Sequence, residues 1–126
     1  MGALILDASV LIGLLDNQDA HHSSAVEEVE AADQAAQALL TPASAYSEAL
    51  VAFARADRVS DARDAIAGMG ITVVPLTETL AERAAELRAR HSALRLPDAI
   101  VLATVRDLDG ELLTYDHRLS RFASTD

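Results

Sequence analysis

The sequence predicts an α/β fold, a small central parallel sheet of four or five strands flanked by helices. Three observations carry that reading. Short apolar runs of strand length alternate with longer stretches of helical period. The runs Ala3-Leu-Ile-Leu6 and Ile71-Thr-Val-Val74 are almost uniformly apolar, as strands covered on both faces are. The chain is 126 residues long and 51% hydrophobic but only 3% aromatic, so Ala, Leu, Val and Ile must build the core.

Taken in order, the first strand ends at Asp7, and Ser9 to Leu15 follows as a helix that Asp16-Asn17-Gln18-Asp19 stops. Ala20 to Ala38 has a helical pattern, with Glu27, Glu28 and Glu30 on its wet side. Leu39-Leu40-Thr41 is a brief strand ended by Pro42, and Ala43 to Ala56 forms a third helix. Ser60 to Gly68 makes another, and the turn Gly68-Met69-Gly70 leads into Ile71–Val74, the clearest strand by β-branched content. Thr77 is placed to cap a helix running from Glu78 to about His91. Pro97 marks the start of an apolar helix, Asp98 to Leu108, which should lie centrally. Asp109-Gly110 turns into the last strand, Glu111 to Thr114, and His117 to Ser120 is a short capped stretch. Residues 1–126 read as one domain with no repeat, linker or low-complexity tail.

Composition narrows the chemistry. Without cysteine there is neither a disulfide nor a thiolate ligand or nucleophile, which suits the cytoplasm. The apolar N-terminus lacks a basic leader and carries Asp7, so neither a signal peptide nor a membrane span is expected. The net charge of −10, taken alone, argues against a nucleic-acid binder. Every cation is arginine, however, and the arginine fork grips phosphate at two points.

Four acids stand where folding does not require them: Asp7 after the first strand, Glu48 on a helix row of small residues with Ser44, Ala45 and Ala52, Asp98 opening the apolar helix, and Asp116 after the last strand. Each has a plain alternative. Asp7 and Asp116 can cap helices, Asp98 can meet a helix dipole, and Glu48 can sit in solvent. Ligand crevices in parallel sheets lie beyond the strand carboxyl ends, where the winding reverses. If the first and last strands are neighbours, Asp7 and Asp116 meet there. Carboxylates about 5 Å apart repel by about 3 kcal/mol per pair at an effective dielectric near 20, so six pairs reach the order of 10 kcal/mol. Such a cluster takes up protons or cations. Oxygen donors alone select the hard ions Mg²⁺ or Mn²⁺ over zinc, and Ser9, Ser44 and Thr114 are positioned to support them. That chemistry points to phosphate esters.

The stretches LILDASVLIGLLD, TPASAYSEAL, LRLPDAIVLATV and LLTYDHRL occur in order along essentially the whole chain. With them the sequence resembles the PIN-domain ribonucleases, and among these the VapC-type toxins of bacterial toxin–antitoxin pairs. The resemblance implies a three-layer α/β/α fold and a metal-dependent endoribonuclease. Asp7, Glu48, Asp98 and Asp116 would hold one or two Mg²⁺ or Mn²⁺ ions, with Ser9 and Thr114 in support. It further implies an RNA substrate, a homodimer, and a small antitoxin protein that covers the site.

The chain shows no obvious basic strip for RNA. Arg55, Arg58, Arg90, Arg95, Arg118 and Arg121 are scattered candidates, and His117 to Phe122 is a plausible substrate rim. The pair His21-His22 faces two directions on a helix and is not expected to act as a ligand pair. An aspartyl-phosphate enzyme or phosphoacceptor receiver is disfavoured because no lysine is present to steady the phosphoryl group. A P-loop NTPase lacks its Gly-Lys sequence. The non-enzymatic alternative is an inactive PIN-like module that binds a partner protein.

Overall fold

The computed structural model describes residues 2–124. Four parallel strands form its sheet: β1 (Leu4–Leu6), β2 (Leu39–Pro42), β3 (Ile71–Val74) and β4 (Glu111–Leu113), in the order β3-β2-β1-β4. Register pairs Leu4 with Leu39 on one side of β1 and with Glu111 on the other. The winding runs from β1 through β2 to β3, and the chain then crosses back to place β4 on the far side of β1. The reversal therefore falls between β1 and β4. These two strands are neighbours as expected, although β4 is an edge strand.

Among the described residues seven helices flank the sheet: α1 (Ala8–Leu15), α2 (His22–Gln34), α3 (Ala43–Arg55), α4 (Val59–Gly68), α5 (Glu78–Arg90), α6 (Leu96–Asp107) and α7 (His117–Ser124). They bury two apolar clusters. Leu6, Leu39 and Ile71 pack with Val10, Leu11, Leu14, Ala25, Val29 and Ile66 from α1, α2 and α4. The second cluster joins Leu80, Ala84 and Leu87 of α5 to Ala99, Val101, Leu102 and Ala103 of α6 and Leu119 of α7. Alternation along the strands assigns these clusters to opposite sheet faces, because Leu6 pairs in register with Leu113 of the first and Ile5 with Leu112 of the second. This is the expected three-layer α/β/α arrangement. Small residues allow the close packing: Ala45, Ala84 and Ala99 have no exposed surface.

The helix ends depart most from the sequence reading. α2 begins at His22 rather than Ala20, because the Asp19 side chain accepts the His21 N–H at 3.0 Å and holds a turn there. It stops at Gln34 rather than Ala38, where Ala36 takes φ 56° and Gln37 N–H reaches back to Ala32 O at 2.9 Å. Asp57 (φ 58°) and Asp109 (φ 50°) end α3 and α6 in the same left-handed way. After Asp109 the chain needs glycine for space, since a Cβ on Gly110 would lie 2.9 Å from Ile5 Cγ1 and 3.0 Å from Ala3 O. α7 is twice the length expected for His117–Ser120, a full eight residues. Thr77 caps α5 as expected, accepting Leu80 N–H at 3.2 Å. Among the described residues no helix is long and apolar enough to cross a membrane.

Candidate functional site

Asp7 stands at the carboxyl end of β1 with 5% of its surface exposed. It caps α1, its Oδ1 accepting Val10 N–H at 3.2 Å. Two hydroxyls complete its surroundings. Ser9 Oγ donates to Oδ1 at 2.6 Å and accepts Tyr115 N–H at 3.0 Å. Thr114 Oγ1 donates to Oδ2 and accepts Asp116 N–H at 3.0 Å. Each hydroxyl thus gives its proton to Asp7 and takes an amide from the loop after β4. The start of α1 and the loop after β4 are stitched together through one carboxylate.

Asp116 sits in that loop and caps α7, its Oδ1 accepting Arg118 N–H at 2.9 Å and Leu119 N–H at 3.3 Å. Its plain role as a cap is therefore filled, and so is that of Asp7. Neither role excludes another. A carboxylate has about four lone-pair positions, and the three donors on Asp7 occupy two on Oδ1 and one on Oδ2. One direction on Asp7 Oδ2 stays open.

Asp98 behaves differently. It lies in the first turn of α6, 8% exposed, and is paired with Arg95, whose Nε lies 3.2 Å from Asp98 Oδ2. The Arg95 side chain is 57% exposed and takes the N-cap position of α6 without capping it. Glu48 is half-buried on α3. Ser44, one helical turn before it, makes only a long 3.5 Å hydrogen bond to Pro97 O and does not join the Asp7 network.

Charge links these groups. Burial pushes the Asp7 carboxyl above its ordinary value; the bonds from Ser9, Thr114 and Val10 oppose that, and the charge of Asp116 adds to it. Burial likewise raises Glu48; Arg95 opposes the shift, while Asp98 and Asp7 reinforce it. Arg95 is itself held more firmly protonated by its bond to Asp98 and by the charges of Asp98, Glu48 and Asp116. All four acids therefore lie in one electrostatic neighbourhood. They do not form a closed cage: among the described residues no three acidic or histidine side chains approach as a cation-binding group. An arginine stands among the acids, and Asp98 pairs with it.

The donors nonetheless suit a hard cation. They are all carboxylate oxygens, Asp7 keeps an open lone pair, and two of the acids bear raised pKa values that a cation would relieve.

One wall of the site escaped the sequence reading. Tyr115 stacks on His21, with ring centroids 4.3 Å apart and planes 10° from parallel. Its hydroxyl donates to Glu28, and burial together with that bond raises the phenol pKa. His22 instead places Nδ1 2.7 Å from Gly13 O. The two histidines do face apart, but His21 borders the site. No local pattern in the sequence links position 21 to position 115.

A parallel sheet with an acid at its point of reversal, steadied by hydroxyls from the first turn of α1 and from the loop after β4, defines a class of α/β domain built to present carboxylates at one edge. The chain matches the PIN domain family over residues 4–124 and belongs to it. Among solved structures it is similar to the Mycobacterium tuberculosis toxin VapC20, described as cleaving the sarcin–ricin loop, with 20% identity, a TM-score of 0.74 and 95% of each chain covered. It is also similar to a chain of a toxin–antitoxin complex from Klebsiella pneumoniae, with 24% identity and a TM-score of 0.74, covering 98% of this chain and 92% of that one. At these identities the likeness speaks to fold. No curated protein sequence matches the chain significantly.

Proposed function

We propose that the protein is a metal-dependent endoribonuclease that acts as the toxin of a type II toxin–antitoxin pair. The observation that carries this reading is the Asp7 network at the β1–β4 reversal, electrostatically tied to Asp116, Glu48 and, through Glu48, to Asp98. Membership of the PIN family and the likeness to two toxin structures support it.

In this reading Asp7, Glu48, Asp98 and Asp116 hold one or two Mg²⁺ or Mn²⁺ ions. Bound there, such ions would acidify an attacking water and offset charge on the leaving oxygen of a phosphodiester. The residues of the chain do the positioning. Ser9 and Thr114 fix both oxygens of Asp7 and, through the amides of Tyr115 and Asp116, hold the loop after β4 at a set distance from the start of α1. Arg95 neutralises Asp98 in the metal-free protein and, once released, is placed to meet a substrate phosphate. Attack by water leaves a 5′-phosphate and a 3′-hydroxyl. The same reading makes the protein a cytoplasmic homodimer silenced by a small antitoxin, for which an arginine entering the acidic site is a suitable contact.

The test is incubation of the purified protein with total RNA, with and without Mn²⁺, followed by mapping of the cut ends. Metal-dependent cuts bearing 5′-phosphates support the proposal. One observation favours a second reading, a catalytically inactive partner-binding module: the Arg95–Asp98 pair leaves the acids without a closed cation group. On that reading neither metal nor RNA has any effect.

A further inference from the structure

Beside the acidic site lies a cavity of about 450 Å³ lined by His91, Ala93, Arg118, Arg121 and Phe122. Its volume falls within the roughly 300–1,000 Å³ of small-molecule sites. We propose that this cavity receives one unpaired base of the RNA substrate, next to the phosphodiester that is cut. The proposal rests on the ribonuclease reading and adds a nucleotide subsite to it.

Three features argue for a base. The first is connection to the acids. Asp116 caps α7 by accepting the backbone N–H of Arg118, so the helix that supplies Arg118, Arg121 and Phe122 to the cavity starts at a proposed metal ligand. From Asp116 to Phe122 is six residues of helix, about 9 Å at a rise of 1.5 Å per residue. That is comparable to the span from a phosphate to the base of a neighbouring nucleotide.

The second feature is aromatic surface. His91 and Phe122 pack edge to face with centroids 5.6 Å apart and planes at 63°. They belong to different elements, the C-cap of α5 and the last turns of α7. A planar ring entering the cavity meets this pair, and bases stack on aromatic side chains with little regard to sequence.

The third feature is charge. Arg58, Arg63, Arg83 and Arg95 all pair with aspartates. Arg118 instead donates to the Ala93 carbonyl at 2.9 Å. That bond ties α7 to the loop after α5 at the cavity wall, and among the described residues Arg118 makes no salt bridge to an acid. In a chain of net charge −10, a cationic rim beside an aromatic floor is a local exception suited to a nucleotide.

The cavity is tested with the four nucleoside 5′-monophosphates and inorganic phosphate as probes, titrated without metal into isotope-labelled protein and followed by NMR. At least one nucleotide should give saturable shifts at His91, Ala93 and Phe122, and inorganic phosphate should bind more weakly. Phe122→Leu keeps apolar bulk but loses the ring and should weaken nucleotide binding roughly five- to a hundredfold, with Phe122→Tyr restoring it. Arg118→Gln lies on an exposed side chain, should leave the fold intact, and should weaken nucleotides and phosphate alike. Absence of shifts at these residues overturns the proposal, as does equal binding of phosphate and nucleotides. Cleavage of total RNA separates the two claims. If the wild-type protein cuts RNA and Phe122→Leu cuts it at the same rate and positions, the subsite is wrong and the nuclease reading stands. If nucleotides bind as described but no RNA is cut, the nuclease reading fails and the cavity remains a nucleotide site.

Discussion

Two buried aspartates close the same edge of the sheet and are held in opposite ways. Asp7 is surrounded by neutral donors, two hydroxyls and an amide, fixed by the start of α1 and the loop after β4. Asp98 is held by a single exposed guanidinium three residues earlier, at the N-cap of its helix. The first arrangement is rigid and leaves the carboxylate's charge in place. The second offsets that charge with an arginine that is open to solvent. One anchor is thus enclosed, and the other is held by a partner that solvent can reach.

The largest expected effect comes from removing the fixed anchor. Asp7→Asn should lower RNA cleavage by at least the ~10²–10³-fold lost when one preorganised charge-stabilising group is deleted. Cleavage at wild-type rate would show that Asp7 serves only as the α1 cap. Next comes the support. Thr114→Val leaves the Asp116 N–H without its acceptor and Asp7 without one of its three donors. It should weaken Mn²⁺ binding by about 10–100-fold, as loss of an outer partner of a metal ligand does, and destabilise the fold by about 1–2 kcal/mol. Calorimetric titration and thermal melts measure both. A variant with unchanged Mn²⁺ affinity would mean that Thr114 only shapes the loop.

The pH dependence is smaller and has a definite sign. Asp7 and Glu48 have folded pKa values above their ordinary ones. Over the interval between the two, the folded protein binds more protons than the unfolded chain. Metal-free stability from these groups is therefore fully present below the ordinary carboxylate range, falls as pH rises through the raised values, and is flat beyond them. Melts in EDTA from mildly acidic to neutral pH should show the decline, and Asp7→Asn should flatten it. A decline of the same size in that variant would assign it to general repulsion in an acidic protein.

The smallest effect on stability is expected for the second anchor. Arg95→Ala breaks a pair with an exposed partner, so stability should change by less than about 1 kcal/mol. Mn²⁺ should bind more tightly, because a competing cation is gone. Weaker binding in Arg95→Ala would show that the arginine helps to build the site rather than compete for it.

Much of this was legible in the sequence. The apolar runs and the turn residues between them located all four strands, while the sequence left the pairing of the first and last strands as a condition for Asp7 and Asp116 to meet. The hydroxyls Ser9 and Thr114 were found by their nearness in sequence to those acids. What the sequence hid was direction. Arg95 and Asp98 are spaced i,i+3, a signal for pairing, yet the arginine reads equally well as a phosphate contact. The stack of His21 on Tyr115 joins residues 94 positions apart by numbering, which no periodic pattern reports. The end of α2 was misplaced because Ala36 adopts a left-handed conformation that alanine disfavours, so composition pointed to continued helix. The length of α7 was understated because its apolar positions, Leu119 and Phe122, pack against α5 and α6, and that docking rather than local propensity extends the helix.

The central claim is that the acids at the β1–β4 edge form one cation site once Asp98 gives up Arg95. Calorimetric titration of Mn²⁺ into the wild-type protein and Asp7→Asn tests it most directly. The account predicts saturable binding to the wild-type protein that is lost in Asp7→Asn. No binding to the wild-type protein, or equal binding to both, would contradict it.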